Sequence, residues 1–332
     1  MEWILDRFAE PILSTLIDTI LKGSLVGAAL IVGTTALGGR RARLRGLLLN
    51  IGILALVAIP IISIQQNFSI TLPAEQSAIG SQAIDTSVPS IPIPVSLDQI
   101  SVELLMIPGL YLLGILVLGS RVLSSLYGLF KLNRTCVPIN NASMIDQLAR
   151  VRDSIGIRRN VGLRASPSVE SPCQMGILTP AVILPADMKF SRDALETIFL
   201  HELVHIKRHD CFYKMLGSVC LALHWFNPLV WGVVRRCSRV QDQVCDDWVV
   251  YLQKSPDHYV ETLISVVRGF RTPGSFTYQM DMAQGSGLLE RIRRIRELGG
   301  LTPTLGSAGL TVSVMTGLAL LAMVGFLRIG IA

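Results

Sequence analysis

Long runs of apolar residues alternate with short polar segments over much of the chain. Four of these runs approach the roughly 20 residues that a helix needs to cross a bilayer; they occupy residues 17–37, 47–64, 102–126 and 308–327. We therefore predict four transmembrane helices. Residues 65–101 carry four prolines without helical or strand periodicity, which predicts an extended loop between the second and third spans.

The first span begins with two charged side chains, Asp18 and Lys22, four residues apart. A functional pair inside the bilayer and a salt bridge at the membrane interface both fit this spacing. Because both residues lie near the start of the span, we expect the interfacial pair, with the lysine side chain extended toward water.

Between the third and fourth spans, in residues 127–304, the pattern becomes that of a folded α+β domain. Apolar residues at helical spacing predict a helix capped by Ser191, an apolar helix capped by Asp210, and a third helix starting at Asn227-Pro228. Short apolar runs cut by prolines predict a small antiparallel sheet; they cover residues 161–165, 173–178 and 181–185. The domain assignment is therefore a membrane region in residues 1–126, this domain, and the fourth span within residues 305–332.

Composition supports the membrane assignment, and charge orients the chain. A mean hydropathy of +0.51 with 16% charged residues is too apolar for an ordinary soluble protein of this length. Arginines 40, 41, 43 and 45 lie between the first two spans, whereas residues 65–103 contain no Lys or Arg. The positive-inside rule then predicts a plasma-membrane protein with its N-terminus outside and residues 127–304 in the cytoplasm.

Residues 127–304 carry the whole net charge of +6, including four arginines in a predicted helix over residues 288–298. No recognised nucleic-acid-binding motif accompanies this charge, so we expect the lipid bilayer, and not nucleic acid, as the direct partner of that helix. All six cysteines lie in the same region without a CxxC pair. We expect buried, reduced thiols rather than ligands or disulfides.

The predicted helix that begins after Ser191 contains an HExxH motif. His201 and His205 are one helical turn apart and project from one face, so both imidazoles can reach a single metal ion. Glu202 lies beside them and can hold a water against that metal. This ligand set suits zinc, which leaves an open position where bound water becomes a nucleophile near neutral pH.

Two further segments could complete the site. Asp242 and Asp246 are one turn apart on the third helix. One could be the third metal ligand, and the other could accept a hydrogen bond from the free N–H of a ligating histidine. The alternative is that both belong to a solvated acidic face. The second short strand could bind an extended peptide at the sheet edge, or the sheet could only support the helix. This candidate edge strand comprises Cys173, Gln174, Met175, Gly176, Ile177 and Leu178.

At this point the residues resemble a known family, the BlaR/MecR-type membrane metallopeptidases, antirepressors that relay β-lactam detection in bacteria. The resemblance rests on three segments: His201-Glu-Leu-Val-His205, Trp225-Phe-Asn-Pro228 and Asp242-Gln-Val-Cys245-Asp246. It implies a zincin-like domain with one zinc on His201, His205 and Asp242, with Glu202 as general base and Asp246 as the supporting carboxylate.

The chain departs from that family in two respects. The family usually has Glu where this chain has Asp242, and the shorter side chain must approach more closely, bind through water, or yield to Asp246 or Asp247. The printed sequence also ends five residues after the fourth predicted span. We therefore expect no extracellular penicillin-binding sensor, and we do not carry β-lactam recognition over.

The sequence thus predicts a membrane-embedded zinc endopeptidase in signal transduction. By resemblance, its substrate is a cytoplasmic repressor of the winged-helix type, or the protein itself, with residues 272–287 as the segment cut. Two alternatives are a quality-control membrane protease of the Ste24/HtpX kind and a signalling scaffold that has lost catalysis. The sequence leaves open whether the protein forms a homodimer.

Overall fold

The computed structural model describes residues 2–38, 41–67, 100–187, 189–268 and 285–298. Two isolated positions near the C-terminus are also described. Its elements follow in chain order: α1 Glu2–Ala36, α2 Ala42–Asn67, α3 Ile100–Thr135, β1 Val137–Pro138, α4 Ala142–Ser154, β2 Gly162–Ser166, β3 Cys173–Met175, β4 Ala181–Pro185, α5 Arg192–Lys207, α6 Asp210–Leu223, α7 Pro228–Gln253, α8 Pro256–Arg268 and α9 Gly285–Leu298.

Three of the described helices are long and apolar enough to cross a membrane: Pro11–Ala36, Ala42–Asn67 and Met106–Thr135. They correspond to the first three predicted spans, so the chain is a membrane protein. The fourth predicted span, residues 308–327, and the loop at residues 272–284 lie outside the described residues. Helix α3 continues through residue 127, where we placed the start of the folded domain, and the division into domains stays a prediction.

The charged pair in the first span forms a salt bridge, but its lysine is not extended toward water. The Lys22 and Asp18 side chains are 1% and 2% exposed, and Lys22 Nζ lies 3.0 Å from Asp18 Oδ2. Lys22 also donates to Gln66 Oε1 of α2 at 2.8 Å. The expectation of an extended lysine was wrong because α2 covers this face of α1 and offers the ammonium a second acceptor.

The four-stranded sheet is mixed, in the order β1-β2-β4-β3. Strand β4 pairs in parallel with β2 and antiparallel with β3, so the purely antiparallel sheet that we expected is wrong. Apolar β4 is buried along its whole length, as an inner strand should be. Its core continues into α4 and α5, where Phe199 and Leu203 are fully buried.

Helices α6 and α7 form a hairpin whose tip lies among the three spans. Tyr111 of α3 donates to the Leu223 carbonyl at 2.9 Å, and Asn227 donates to Ser24 Oγ of α1 at 3.0 Å. His224 lies 2.8 Å from the Leu56 carbonyl of α2. At 1.5 Å per residue, Ser24 and Leu56 lie about 20 Å along their helices from the α1–α2 turn. The end of the apolar α6 therefore packs among the spans, whereas most of its residues are only half-buried.

Candidate metal centre

Helix α5 brings the two histidines of the HExxH motif together. Ser191 caps its first turn by accepting from the Ala194 amide, as predicted. His201 and His205 are both buried, at 5% and 3% exposed, and their Nε2 atoms lie 3.3 Å apart. The two imidazoles thus meet edge to edge inside the protein, one turn apart on the same helix.

Each histidine is held by its other ring nitrogen. His205 Nδ1 lies 2.8 Å from Asp210 Oδ2, in the first turn of α6. An ionised carboxylate only accepts, so Nδ1 carries the proton and Nε2 keeps its lone pair. We expected Asp210 to cap α6; instead His209, at a φ of 59°, precedes the helix without a side-chain cap, and this turn aims Asp210 at His205.

Burial raises the pKa of the Asp210 carboxyl, but the hydrogen bond with His205 and the charge of Arg208 outweigh that effect and leave the pKa lowered. Asp210 is therefore ionised near neutral pH, as the assignment of the His205 tautomer requires.

His201 is held through a tyrosine. Its Nδ1 lies 3.0 Å from the Tyr259 hydroxyl of α8, which donates to Asp246 Oδ1 at 2.6 Å. The direct distance from His201 Nδ1 to Asp246 Oδ1 is 3.6 Å, too long for a hydrogen bond. Asp246 therefore does not accept from a histidine directly, as its predicted role would require, because Tyr259 lies between them. Arg291 of α9 binds both oxygens of Asp246, at 2.7 and 3.0 Å.

The histidine pair fits a tetrahedral metal ion. Two nitrogens bound to zinc at about 2.0–2.1 Å lie about 3.3–3.4 Å apart in tetrahedral geometry, which matches the 3.3 Å between the Nε2 atoms. With both Nδ1 atoms protonated, the two Nε2 atoms carry facing lone pairs and cannot hydrogen-bond to each other. Burial, followed by the proximity of His205, holds the pKa of His201 well below its usual value. A shared cation is the chemistry that this arrangement suits.

Two side chains of α7, Asp242 and Cys245, approach the histidine pair, and among the described residues only Cys245 forms a group of possible ligands with both histidines. Asp242 Oδ1 is 3.5 Å from His205 Nε2. The Cys245 sulfur, fully buried, forms with His201 and His205 a group whose ligand atoms all lie within 4.8 Å of one another. Burial raises the pKa of the Cys245 thiol well above its usual range. The sequence pattern placed all six cysteines away from the metal, so this position of Cys245 is a finding of the structure.

The two other carboxylates that could replace Asp242 are already bound. Asp246 is held by Tyr259 and Arg291, and Asp247 lies 2.8 Å from Arg294. Asp242 is therefore the carboxylate of α7 that best fits the predicted role of a third metal ligand.

Glu202 is buried beside the histidine pair, at 5% exposed. Burial raises the pKa of its carboxyl to about 7, although the neighbouring His205 and Lys214 act in the opposite direction. A carboxyl with that pKa can both accept and release a proton near neutral pH. Lys214, one turn after Asp210 on α6, supplies positive charge nearby: burial lowers its pKa, but nearby carboxylates, Asp242 foremost, raise it overall.

The candidate edge strand lies next to this centre. Strand β3 is at the sheet edge and packs against α5, but only Cys173, Gln174 and Met175 are in strand conformation. Gly176 turns the chain with a φ of 92°, and Leu178 is 92% exposed. A small cleft lies between the strand and His205; its lining includes Gln174, Gly176, Ile177, His205 and Phe212.

Sequence reasoning missed three side chains that contact the histidines or their hydrogen-bond partners. Asp210 lies five residues after His205, and this proximity could have suggested a hydrogen bond as well as a cap. Tyr259 is 58 residues from His201, and Arg291 belongs to a helix that the charge pattern assigned to the membrane surface. No local pattern reports such contacts between distant helices.

The sequence is similar to those of known proteins. The chain is 30% identical over 139 residues to regulatory protein BlaR1 of Bacillus licheniformis, an alignment covering 42% of this chain and 23% of that protein. It is 25% identical over 111 residues to the methicillin resistance mecR1 protein of Staphylococcus aureus, covering 32% and 19%. The matched parts thus span less than a quarter of these relatives. A family model described as BlaR1 peptidase M56 matches residues 47–295, about three quarters of the chain. The chain therefore belongs to the BlaR1 peptidase M56 family.

Proposed function

We propose that this protein is a zinc-dependent endopeptidase that acts at the membrane surface. The observation that carries the proposal is the pair of buried Nε2 atoms 3.3 Å apart, each made available because its Nδ1 is bound elsewhere. His201, His205 and Asp242 would hold the zinc, with Cys245 as the other candidate for the third position. Bound zinc supplies Lewis acidity toward a peptide carbonyl and lowers the pKa of a coordinated water.

Glu202 is the proposed general base. Its carboxyl, with a pKa of about 7, would take a proton from the attacking water and deliver it to the leaving amine. The charged Lys214 lies in the electrostatic surroundings of Glu202 and Asp242, where it offsets the negative charge of the two carboxylates. Edge strand β3, next to the histidines, would hold the substrate backbone as an added strand.

The sequence and the descriptions of the relatives support a proposal for the orientation and the substrate. The arginine turn between α1 and α2 and the positive-inside rule support a peptidase site on the cytoplasmic side of a bacterial plasma membrane, with the N-terminus outside. The relatives are described as a regulatory protein and a methicillin resistance protein. We infer a role in signal transduction through cleavage of a cytoplasmic repressor of the winged-helix type, or of the chain itself within residues 272–287.

Metal analysis tests the site. Full-length protein purified in detergent should hold one zinc per chain, and His201→Ala should hold none. Asp242→Ala should lose zinc if the carboxylate is the third ligand, whereas Cys245→Ala should lose it if the thiol is. Asp242→Glu should retain the metal, because the longer side chain reaches the same position. A wild-type protein without stoichiometric zinc would instead support the signalling scaffold.

Peptide hydrolysis tests the chemistry. Glu202→Gln should bind zinc as the wild type does and cleave neither a repressor nor its own chain. The matched control is Glu196→Gln, which changes an exposed carboxylate on the same helix and should keep full activity. Intact-mass spectrometry of the three proteins, with and without the candidate repressor, detects both kinds of cleavage. Equal cleavage by Glu202→Gln and wild type would remove Glu202 from the mechanism.

A further inference from the structure

We propose that Arg291 of α9 is a positioning residue for the metal centre, acting on His201 through Asp246 and Tyr259. The inference rests on the proposed function, because it assigns a role toward the metal that His201 would hold. It deepens that proposal by making the helix beyond residues 269–284 part of the site. Three helices, α7, α8 and α9, thereby contribute to the orientation of one histidine.

The hydrogen-bond directions along this chain are fixed by simple counting. The Tyr259 hydroxyl has one proton and donates it to Asp246 Oδ1 at 2.6 Å. It can then only accept from His201 at 3.0 Å, so His201 must carry its proton on Nδ1. That tautomer leaves the lone pair of Nε2 pointing toward His205, as a metal ligand requires.

Arg291 gives the buried carboxylate of Asp246 a bidentate partner. The Asp246 side chain is 1% exposed, and an ionised carboxylate there needs a partner. Arg291 supplies a bidentate one, with Nη2 on Oδ1 and Nε on Oδ2. Without it, nothing would fix the two oxygens of Asp246 in place, so Tyr259 would lose its oriented acceptor and would hold His201 less firmly.

A neighbouring ion pair provides the matched control. Arg294 lies three residues after Arg291 on α9. Its Nη2 is 2.8 Å from Oδ1 of Asp247, which is next to Asp246 on α7. Arg294 Nη1 also donates to the Gln243 carbonyl at 3.1 Å. Its side chain is 9% exposed, against 11% for Arg291. Within the described part of the chain, neither Arg294 nor Asp247 forms a hydrogen bond to a metal-site histidine.

The experiment measures metal affinity in full-length protein by competition with a chromophoric chelator, using zinc and then cobalt. Tyr259→Phe removes a single hydroxyl, and Arg291→Gln removes the bidentate partner. Each should weaken zinc binding about 10–100-fold, the usual effect of removing a group that supports a ligand. Because both act on one chain, the double variant should be no weaker than about the worse single variant. Arg291→Lys should fall between wild type and Arg291→Gln.

Two readouts separate positioning from general damage. Arg294→Gln should lower the melting temperature of the metal-free protein about as much as Arg291→Gln while leaving zinc affinity within about twofold of wild type. The visible spectrum of bound cobalt should change in Tyr259→Phe and Arg291→Gln and stay as in wild type in Arg294→Gln.

Unchanged zinc affinity in both Tyr259→Phe and Arg291→Gln would overturn the positioning role but not the proposed function. A loss of zinc affinity in Arg294→Gln equal to that in Arg291→Gln would have the same consequence. A wild-type protein that binds neither metal would overturn the proposed function together with this inference.

Discussion

A hydrogen bond between the α6–α7 hairpin and α2 gives a quantitative prediction for the membrane part. Pro60 lies inside α2 and has no N–H, so the Leu56 carbonyl, four residues earlier, loses its helical donor. His224 lies 2.8 Å from that carbonyl through Nε2, and its side chain is fully buried. The His224 side chain therefore supplies the Leu56 carbonyl with the donor that proline removes. Because the position is buried, water cannot supply that donor.

The magnitude follows from the cost of a buried, unsatisfied carbonyl. His224→Leu should reduce the free energy of unfolding by about 1–3 kcal/mol, because the Leu56 carbonyl is left without a donor. Pro60→Ala restores an amide N–H that can serve that carbonyl within α2. In the Pro60→Ala background, His224→Leu should then cost at least about 1 kcal/mol less than it does alone.

Reversible unfolding by SDS in detergent micelles measures this double-mutant cycle. Tyr111→Phe is the control, because it removes another hydrogen bond to the hairpin tip, 2.9 Å to the Leu223 carbonyl, without touching Leu56. Its cost should be the same in both backgrounds. If His224→Leu also costs the same in both backgrounds, within about 0.5 kcal/mol, the link between Pro60 and His224 is refuted.

Three further predictions concern other parts of the chain. Lys22→Met should destabilise the protein by about 3–5 kcal/mol by leaving Asp18 buried and unpaired, and the double change with Asp18→Asn should recover most of that loss in the same unfolding assay. Gly176→Ala should lower the free energy of unfolding by more than about 1 kcal/mol in thermal unfolding, because φ is 92° and the added Cβ would overlap the Thr179 carbonyl oxygen. The control Gly162→Ala should be nearly neutral, because its Cβ would meet nothing closer than 3.4 Å. Chelation should lower the melting temperature of the wild type and leave that of His201→Ala unchanged, since a ligand stabilises only the state that binds it.

Local sequence rules predicted those features whose causes are local. Ser191 and Asn227 accept from amides of the helices that follow them, as cap preferences predict. The HExxH spacing places both imidazoles on one face, and β4 spans the predicted residues 181–185. In each case the determining interactions lie within one helical turn or one strand, so the sequence pattern is sufficient.

Contacts between distant elements could not be predicted in the same way. Periodicity shows that Asp242 and Asp246 share a face of α7, but the helices that cover this face decide which carboxylate is free. Arg291 and Arg294 come from α9 and bind Asp246 and Asp247, so two of the four arginines expected at the bilayer surface point inward instead. The parallel pairing of β2 with β4 likewise depends on how the segment between them returns along the sheet.

The arrangement of α6 and α7 explains why the centre is built from buried polar groups. Asp210 of α6 and Asp246 of α7, which lie near the histidines, are 0% and 1% exposed and so have little access to water. Each such group therefore needs a partner inside the protein. Asp210 binds His205, and Asp246 binds Tyr259 and Arg291. Asp242, at 15% exposed, has a carboxylate oxygen 3.5 Å from His205 Nε2, so Asp242 and Cys245 are the two side chains of α7 available to a cation held by the histidines.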